Sequence, residues 1–250
     1  MDAVKPRSVH LLGLDFTNTS LEETSRHLLA RPPGARFAYV VTPNADHLVR
    51  LGRIPRLRPV YRRAMFCLLD SQLISHCANR LGLPNPPVVT GADLTEILFA
   101  RFEHLRIAVI GTDVRTIQAL TARYPHITFL HHQPPMGLMH RHAAFNAARD
   151  FGAGCGAAFT FIALGSPVQE LLAYAIAQQP ESRGIGLCVG SALAFSAGTA
   201  RRAPGWMRGR GLEWLYRLAQ DPWRLAGRYL LDDPWIFAGL AMAKLRQKMR

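Results

Sequence analysis

At 250 residues, with 49% of them apolar, the chain can bury a sizeable core and is not a disordered polybasic segment, although its net charge is +13 and its pI near 10.6. Two uncharged runs, 151–169 and 184–200, are broken by Gly, Ser or Pro, so they read as buried strands with tight turns and not as membrane spans. The opening MDAVKPRSVH has no apolar stretch of the kind a secretory signal needs.

The first expected element is a strand over 9–16, followed by a capping box, Ser20-Leu-Glu-Glu23, that opens a helix to about Ala30. The apolar run 37–42 predicts a buried strand ending at Pro43-Asn44, with helices over 45–51 and 56–64 behind it. A second buried strand, 65–69, is closed by Asp70 and followed by a helix over 72–81. Asp93 is placed to cap a helix running to Phe102. The second half repeats the pattern, with strands over 107–110, 127–131, 159–164 and 185–189 and helices over 114–124, 139–150, 168–179 and 191–196. Such alternation predicts an α/β fold, a mostly parallel sheet with helices on both faces. Residues 1–200 are expected to form this domain and 201–250 a basic, Trp-rich helical appendage.

In that appendage eleven basic residues face four acidic ones, so it holds more than half of the net charge. Asp221-Pro222 and Asp233-Pro234 have the form of helix starts, which predicts helices over about 206–220, 222–231 and 234–249. Arg210, Arg217, Arg224 and Arg228 recur at spacings that let neighbours share a helix face. Basic helices with interleaved tryptophans suit a lipid head group, a polyphosphate or a nucleic acid.

Ligands of open α/β sheets bind outside the carboxyl ends of the strands, which directs attention to Thr42, Asn44, Asp70, Gly111, Gly165, Ser166 and Gln169. Asp70 reads either as a helix cap or as a general base for a bound hydroxyl. Thr42 and Asn44 read either as turn and cap or as groups gripping a polyhydroxylated substrate. The turn at Gly165 opens a helix, where free N–H groups suit a phosphate. There is no GxGxxG, no P-loop and no Asp-x-Asp. Cys67, Cys77, Cys155 and Cys188 have no metal-ligand spacing and read as buried thiols of a reducing compartment, and His131-His132 and His140-x-His142 match no zinc pattern. No metal and no cofactor is expected.

Several motifs then fall in one order: Val41-Thr-Pro-Asn-Ala-Asp-His-Leu48, Leu69-Asp70, Thr90-Gly-Ala-Asp93-Leu94, Ala163-Leu-Gly-Ser-Pro-Val-Gln-Glu170, and Arg202-Ala-Pro-Gly-Trp-Met207 with Gly211-Leu-Glu-Trp-Leu-Tyr-Arg217. Together they resemble the WecG/TagA/CpsF family of glycosyltransferases from about Val9 to Tyr229. Val189-Gly-Ser-Ala192 and Pro134-Pro-Met-Gly137 are similar to its exopolysaccharide-synthesis branch. The resemblance implies a Rossmann-like catalytic domain and an inverting, metal-independent transferase. Its donor would be a UDP-sugar and its acceptor a hydroxyl of an undecaprenyl-diphosphate-linked saccharide. By position Asp70 corresponds to the catalytic base, Thr42 and Asn44 to pocket residues, and Gln169 to the nucleotide-sugar site; Asp93 and Gly165 lie in the same motifs and join the substrate-binding set. The appendage corresponds to a segment that closes over the site and approaches the membrane, with Arg210, Arg217, Arg224 and Arg228 as candidates for the acceptor diphosphate.

Two positions depart from the family pattern, Ser71 where glycine is usual and Ala194 where an acidic residue is common, and both bear on the donor sugar. The implied location is cytoplasmic, peripheral at the inner face of the cell membrane, and a homo-oligomer is compatible with the sequence. Trp206 and Trp214 are expected to dock the appendage, leaving Trp223 and Trp235 nearer the bilayer. The rival readings are a non-catalytic assembly subunit of a polysaccharide-synthesis complex, a nucleic-acid-binding protein and a nicotinamide-dependent oxidoreductase. The second lacks a helix-turn-helix or RNA-binding signature and the third lacks its glycine fingerprint, so no nucleic-acid partner is expected.

Overall fold

The N-terminal strand expected over 9–16 is instead a hairpin. Strands β1 (Ser8–Leu11) and β2 (Leu14–Thr17) pair antiparallel. Leu12 and Gly13, at φ 52° and 83°, form the turn between them. Two successive positive φ values give the turn whose twist matches that of paired strands, and the glycine accepts this conformation without a Cβ clash. The computed structural model describes residues 7–220, 222–223 and 235–248.

The six later strands form one parallel sheet. They are β3 (Ala38–Val41), β4 (Phe66–Cys67), β5 (Arg106–Gly111), β6 (Thr128–His132), β7 (Phe159–Ala163) and β8 (Ile185–Cys188), in the spatial order β4-β3-β8-β7-β5-β6. Pairing is in parallel register throughout, for example Val40 with Leu187 and Ile110 with Ile162. Because side chains alternate across a strand, each strand feeds two cores. Tyr39, Val41, Ile110, Ile162 and Cys188 pack on one face, and Val40, Ile107, Val109, Phe161 and Leu187 on the other.

Helices cover both faces, as the alternation predicts. On the first lie α2 (Ala45–Arg53), α3 (Arg58–Arg62), α4 (Gln72–Arg80), α7 (His142–Gly154) and α8 (Val168–Ala177). On the second lie α1 (Leu21–Leu29), α5 (Gly91–Arg101), α6 (Val114–Arg123) and α9 (Ala192–Ala197). The capping box of α1 forms: Ser20 Oγ accepts the Glu23 N–H and the Glu23 carboxylate accepts the Ser20 N–H. At the centre of the second core Phe99 meets Tyr124 and Phe161 edge-on, each at 5.1 Å between centroids.

The helix expected over 206–220 is broken in two, α10 (Gly205–Gly209) and α11 (Glu213–Gln220). The break follows from Gly211, which lies at φ +73° against the start of α4; a Cβ there would stand 3.0 Å from the Leu73 backbone nitrogen. The last helix, α12 (Trp235–Lys248), buries Ile236 and Leu240 in the first core. On its other side Phe237, Met242 and Leu245 are exposed. Trp206, expected to dock this segment, is 60% exposed, and Trp223 is 96% exposed. Most of the helix expected over 222–231, together with Arg224, Arg228 and the side chains of Arg217 and Trp235, lies outside the described residues. Among the described residues no helix is long and apolar enough to cross a membrane, and no group of three or more His, Cys, Asp or Glu is placed to hold a metal ion.

Candidate active site

A cavity of about 280 Å³ lies at the carboxyl ends of β4, β3, β8 and β7. Its walls come from loops that follow these strands: Thr42, Asn44 and the first turn of α2; Asp70; Thr90 and Ala92; Gly165, Ser166 and Gln169; and Val189–Ala192 with Phe195. Arg202 and Glu213 from the C-terminal segment complete it. The geometry follows from the topology: parallel strands present all their carboxyl ends on one edge, so residues far apart in the chain meet there.

Asp70 does not cap α4. Ser71 does: its Oγ accepts the Ile74 N–H at 3.3 Å. The serine sits at φ −160°, ordinary extended backbone, so the usual glycine is not required there. The Asp70 backbone N–H donates to the Pro43 carbonyl at 3.0 Å, and Asp70 Oδ2 accepts the Gly91 N–H at 3.1 Å, at the start of α5. The first contact fixes the main chain and the second holds the carboxylate, which lines the cavity, where a carboxylate can take a proton from a bound hydroxyl.

Thr42 and Asn44 both line the cavity, and each also has a structural contact. Thr42 Oγ1 donates to the Cys188 carbonyl at 3.1 Å, tying β3 to β8. Asn44 caps α2. Its Oδ1 accepts the His47 N–H at 3.4 Å and lies 2.7 Å from the His47 ring nitrogen Nδ1. Gln169 is buried, with Oε1 accepting the Gly190 N–H at 3.0 Å and Nε2 donating to Glu170 Oε1 at 2.8 Å. Gly165 opens the loop before α8, a helix that begins without a side-chain cap; the Gly165 carbonyl accepts the Gln169 N–H at 3.1 Å in place of one. Arg50 links two walls, donating to Asp46 Oδ2 at 2.8 Å and Ser166 Oγ at 2.9 Å. Gly111 does not line this cavity.

Asp93 differs from its expected place in two ways. Thr90, not Asp93, caps α5, with Thr90 Oγ1 accepting the Asp93 N–H at 3.0 Å. The Asp93 carboxylate turns to the C-terminal segment: Arg202 Nη1 donates to its Oδ1 at 2.5 Å, and Arg208 Nη1 lies 3.5 Å from the same oxygen. Burial would raise the Asp93 carboxyl, but the hydrogen bonds from Arg202 and Thr90 and the two guanidinium charges hold it below its usual range. Burial likewise works against the Arg202 charge, yet Asp93, with Glu213 and Asp70 beyond it, raises its pKa.

Of the four arginines expected at the diphosphate, Arg210 alone has its side chain among the described residues. Arg210 is exposed, its guanidinium 5.9 Å from the Trp206 ring centroid. Arg202 is the arginine brought to the cavity, and sequence reasoning passed over it, as it did His47, Thr90 and Glu213. The available signal was the Arg202-Ala-Pro motif itself, an arginine quoted within the same ordered set of motifs as Thr90 and Asp93, the two residues that hold it.

Residues 9–250 match the family described as Glycosyl transferase WecG/TagA/CpsF family. The chain is similar to the N-acetylglucosaminyldiphosphoundecaprenol N-acetyl-beta-D-mannosaminyltransferases of Staphylococcus aureus strains MW2 and NCTC 8325 / PS 47. Each is 25% identical over 248 residues, covering 96% of this chain and 94% of the relative.

Proposed function

The chain belongs to the WecG/TagA/CpsF family of glycosyltransferases, and we propose that it moves a sugar from a UDP-sugar to a hydroxyl of an undecaprenyl-diphosphate-linked saccharide during cell-surface polysaccharide synthesis. The observation that carries this reading is the placement of Asp70 on a polar cavity at the carboxyl end of β4, beside the N-terminus of α5.

In the proposed reaction Asp70 takes the proton of the acceptor hydroxyl as its oxygen attacks the anomeric carbon. UDP leaves from the opposite face, so the configuration inverts. Thr42 and Asn44 contact the sugar, while Gln169 and the Gly165 turn hold the donor near the start of α8. The leaving diphosphate is neutralised by backbone N–H groups and by arginine, with Arg202 added to Arg210, Arg217, Arg224 and Arg228 as a candidate. The names of the two staphylococcal relatives support a lipid-diphosphate saccharide as the acceptor. Exposed Trp223, and Phe237, Met242 and Leu245 beside Lys244 on α12, support a peripheral seat on the inner membrane face.

The test is UDP release from a panel of UDP-sugars with undecaprenyl-diphosphate-linked mono- and disaccharides as acceptors. One donor is expected to turn over, and Asp70→Asn is expected to lower its rate by on the order of a thousandfold or more while the protein stays folded. Near-normal turnover in that variant removes Asp70 as the base. The absence of transfer from every UDP-sugar overturns the donor class.

A further inference from the structure

We infer that Glu170, which does not itself line the cavity, is a positioning residue that sets the orientation of Gln169, His47 and, through His47, Asn44. The inference rests on the reading of the cavity as a donor site, but its first test does not.

Glu170 lies in the first turn of α8 and is 1% exposed. A single oxygen, Oε1, serves two neighbours: it accepts the Gln169 Nε2 hydrogen bond at 2.8 Å and lies 3.4 Å from His47 Nε2. The other ring nitrogen of His47, Nδ1, lies 2.7 Å from Asn44 Oδ1. Gln169, His47 and Asn44 all line the cavity. One buried carboxylate oxygen therefore stands behind three cavity side chains drawn from two helices on different strands.

The consequence is specific to amides, whose two ends differ only in hydrogen-bonding sense. A carboxylate accepts and cannot donate, so it selects the Nε2 end of Gln169; the Gly190 N–H, which only donates, selects the Oε1 end at 3.0 Å. With both ends specified, the Gln169 amide has one orientation. The His47 ring passes this constraint on to Asn44: its Nδ1 accepts the Asn44 backbone N–H at 3.3 Å while Asn44 Oδ1 accepts the His47 backbone N–H at 3.4 Å, so a fixed ring fixes the cap of α2.

Packing alone does not account for this residue. A carboxylate in a fully buried position forfeits hydration, and among the described residues nothing hydrogen-bonds its second oxygen, Oε2. Burial pushes the Glu170 carboxyl up, but the His47 and Gln169 contacts outweigh this and hold it below its usual range. Glutamine, the neutral residue of the same shape, fills the volume but puts a donating NH₂ where the carboxylate has an oxygen. What it does not supply is an oxygen that refuses the wrong end of an amide.

The test uses Glu170→Gln, which keeps the shape, in the full-length protein. The first arm needs no substrate: the side-chain amide resonances of Gln169, assigned by comparison with Gln169→Ala, are compared in wild type and Glu170→Gln by NMR. A distinct, protected Gln169 NH₂ pair is expected in wild type and is expected to shift and broaden in the variant. The second arm measures kinetics with the UDP-sugar that turns over. Donor KM is expected to rise on the order of tenfold with acceptor KM unchanged, and adding Gln169→Ala to Glu170→Gln is expected to cost little more. The thermal midpoint is expected to fall modestly, because the fold favours the ionised carboxylate. An unchanged Gln169 signal or an unchanged donor KM overturns the positioning role, as does a rise in donor and acceptor KM by the same factor. If no UDP-sugar turns over in wild type, the donor reading fails and the NMR arm alone decides the role of Glu170.

Discussion

Arg202 and Asp93, 109 residues apart in the chain, meet at 2.5 Å and fasten the C-terminal segment to the first turn of α5. The second guanidinium nitrogen, Nη2, donates to Thr90 Oγ1 at 3.1 Å, so one side chain grips both the cap and the third residue of that helix. Asp70 accepts the N–H of the first residue, Gly91, of the same helix. The start of α5 thus links the proposed base to the segment that completes the cavity.

Removing this clasp has a defined cost. Arg202→Ala leaves Asp93 half-buried beside Arg208 alone, and unfolding in urea is expected to report a loss of about 1–3 kcal/mol. Arg202→Lys keeps the charge but cannot span Asp93 and Thr90 together, so it is expected to recover stability only in part. Turnover is expected to fall in both variants, more in Arg202→Ala. Wild-type stability and rate in Arg202→Ala would show the contact to be incidental.

The clasp also carries a pH signature. The Asp93 carboxyl is held below its ordinary value of 3.8 in the folded state, the Arg202 and Thr90 hydrogen bonds outweighing burial. A depressed folded pKa means that the unfolded chain binds the proton first. The stabilisation is therefore complete above the unfolded value and is lost as the pH falls through the folded one. Urea midpoints of wild type and Asp93→Asn are expected to differ by a constant amount from pH 7 to about pH 5 and to converge below about pH 4. A gap that persists undiminished at pH 3 would contradict the assignment.

Gly211 is the second point of attachment. An alanine there adopts φ +73° at a cost of about 1–2 kcal/mol and places its Cβ against the Leu73 backbone, so α4 or the C-terminal segment must shift. Calorimetry of Gly211→Ala is expected to show a lower thermal midpoint. Transfer is expected to fall as well, because Glu213, two residues on, lines the cavity. A variant with a normal midpoint and normal turnover would remove Gly211 as an attachment point.

Local pattern was enough to read the order of strands and helices. A strand of a parallel sheet is apolar on both faces and a covering helix on one, and both requirements are written within ten consecutive residues. Asp70 was legible for the same reason, since a carboxylate closing an all-apolar run has no use in the core. The hairpin at Leu12-Gly13 was not, because its turn depends on two positive φ values that leave little trace in composition.

The spatial order β4-β3-β8-β7-β5-β6 and the choice of arginine at the cavity were decided only in three dimensions. Arg202 and Arg210 sit in equally basic surroundings along the chain. One is bound by Asp93 and Thr90 at the start of α5, and the other is left beside an exposed Trp206. The pairing of Glu170 with His47 is of the same kind. Periodicity reports which residues are buried, because burial depends on near neighbours in sequence. It does not report which residues far apart in the chain meet, because that is set by how the two layers of helices close over the sheet.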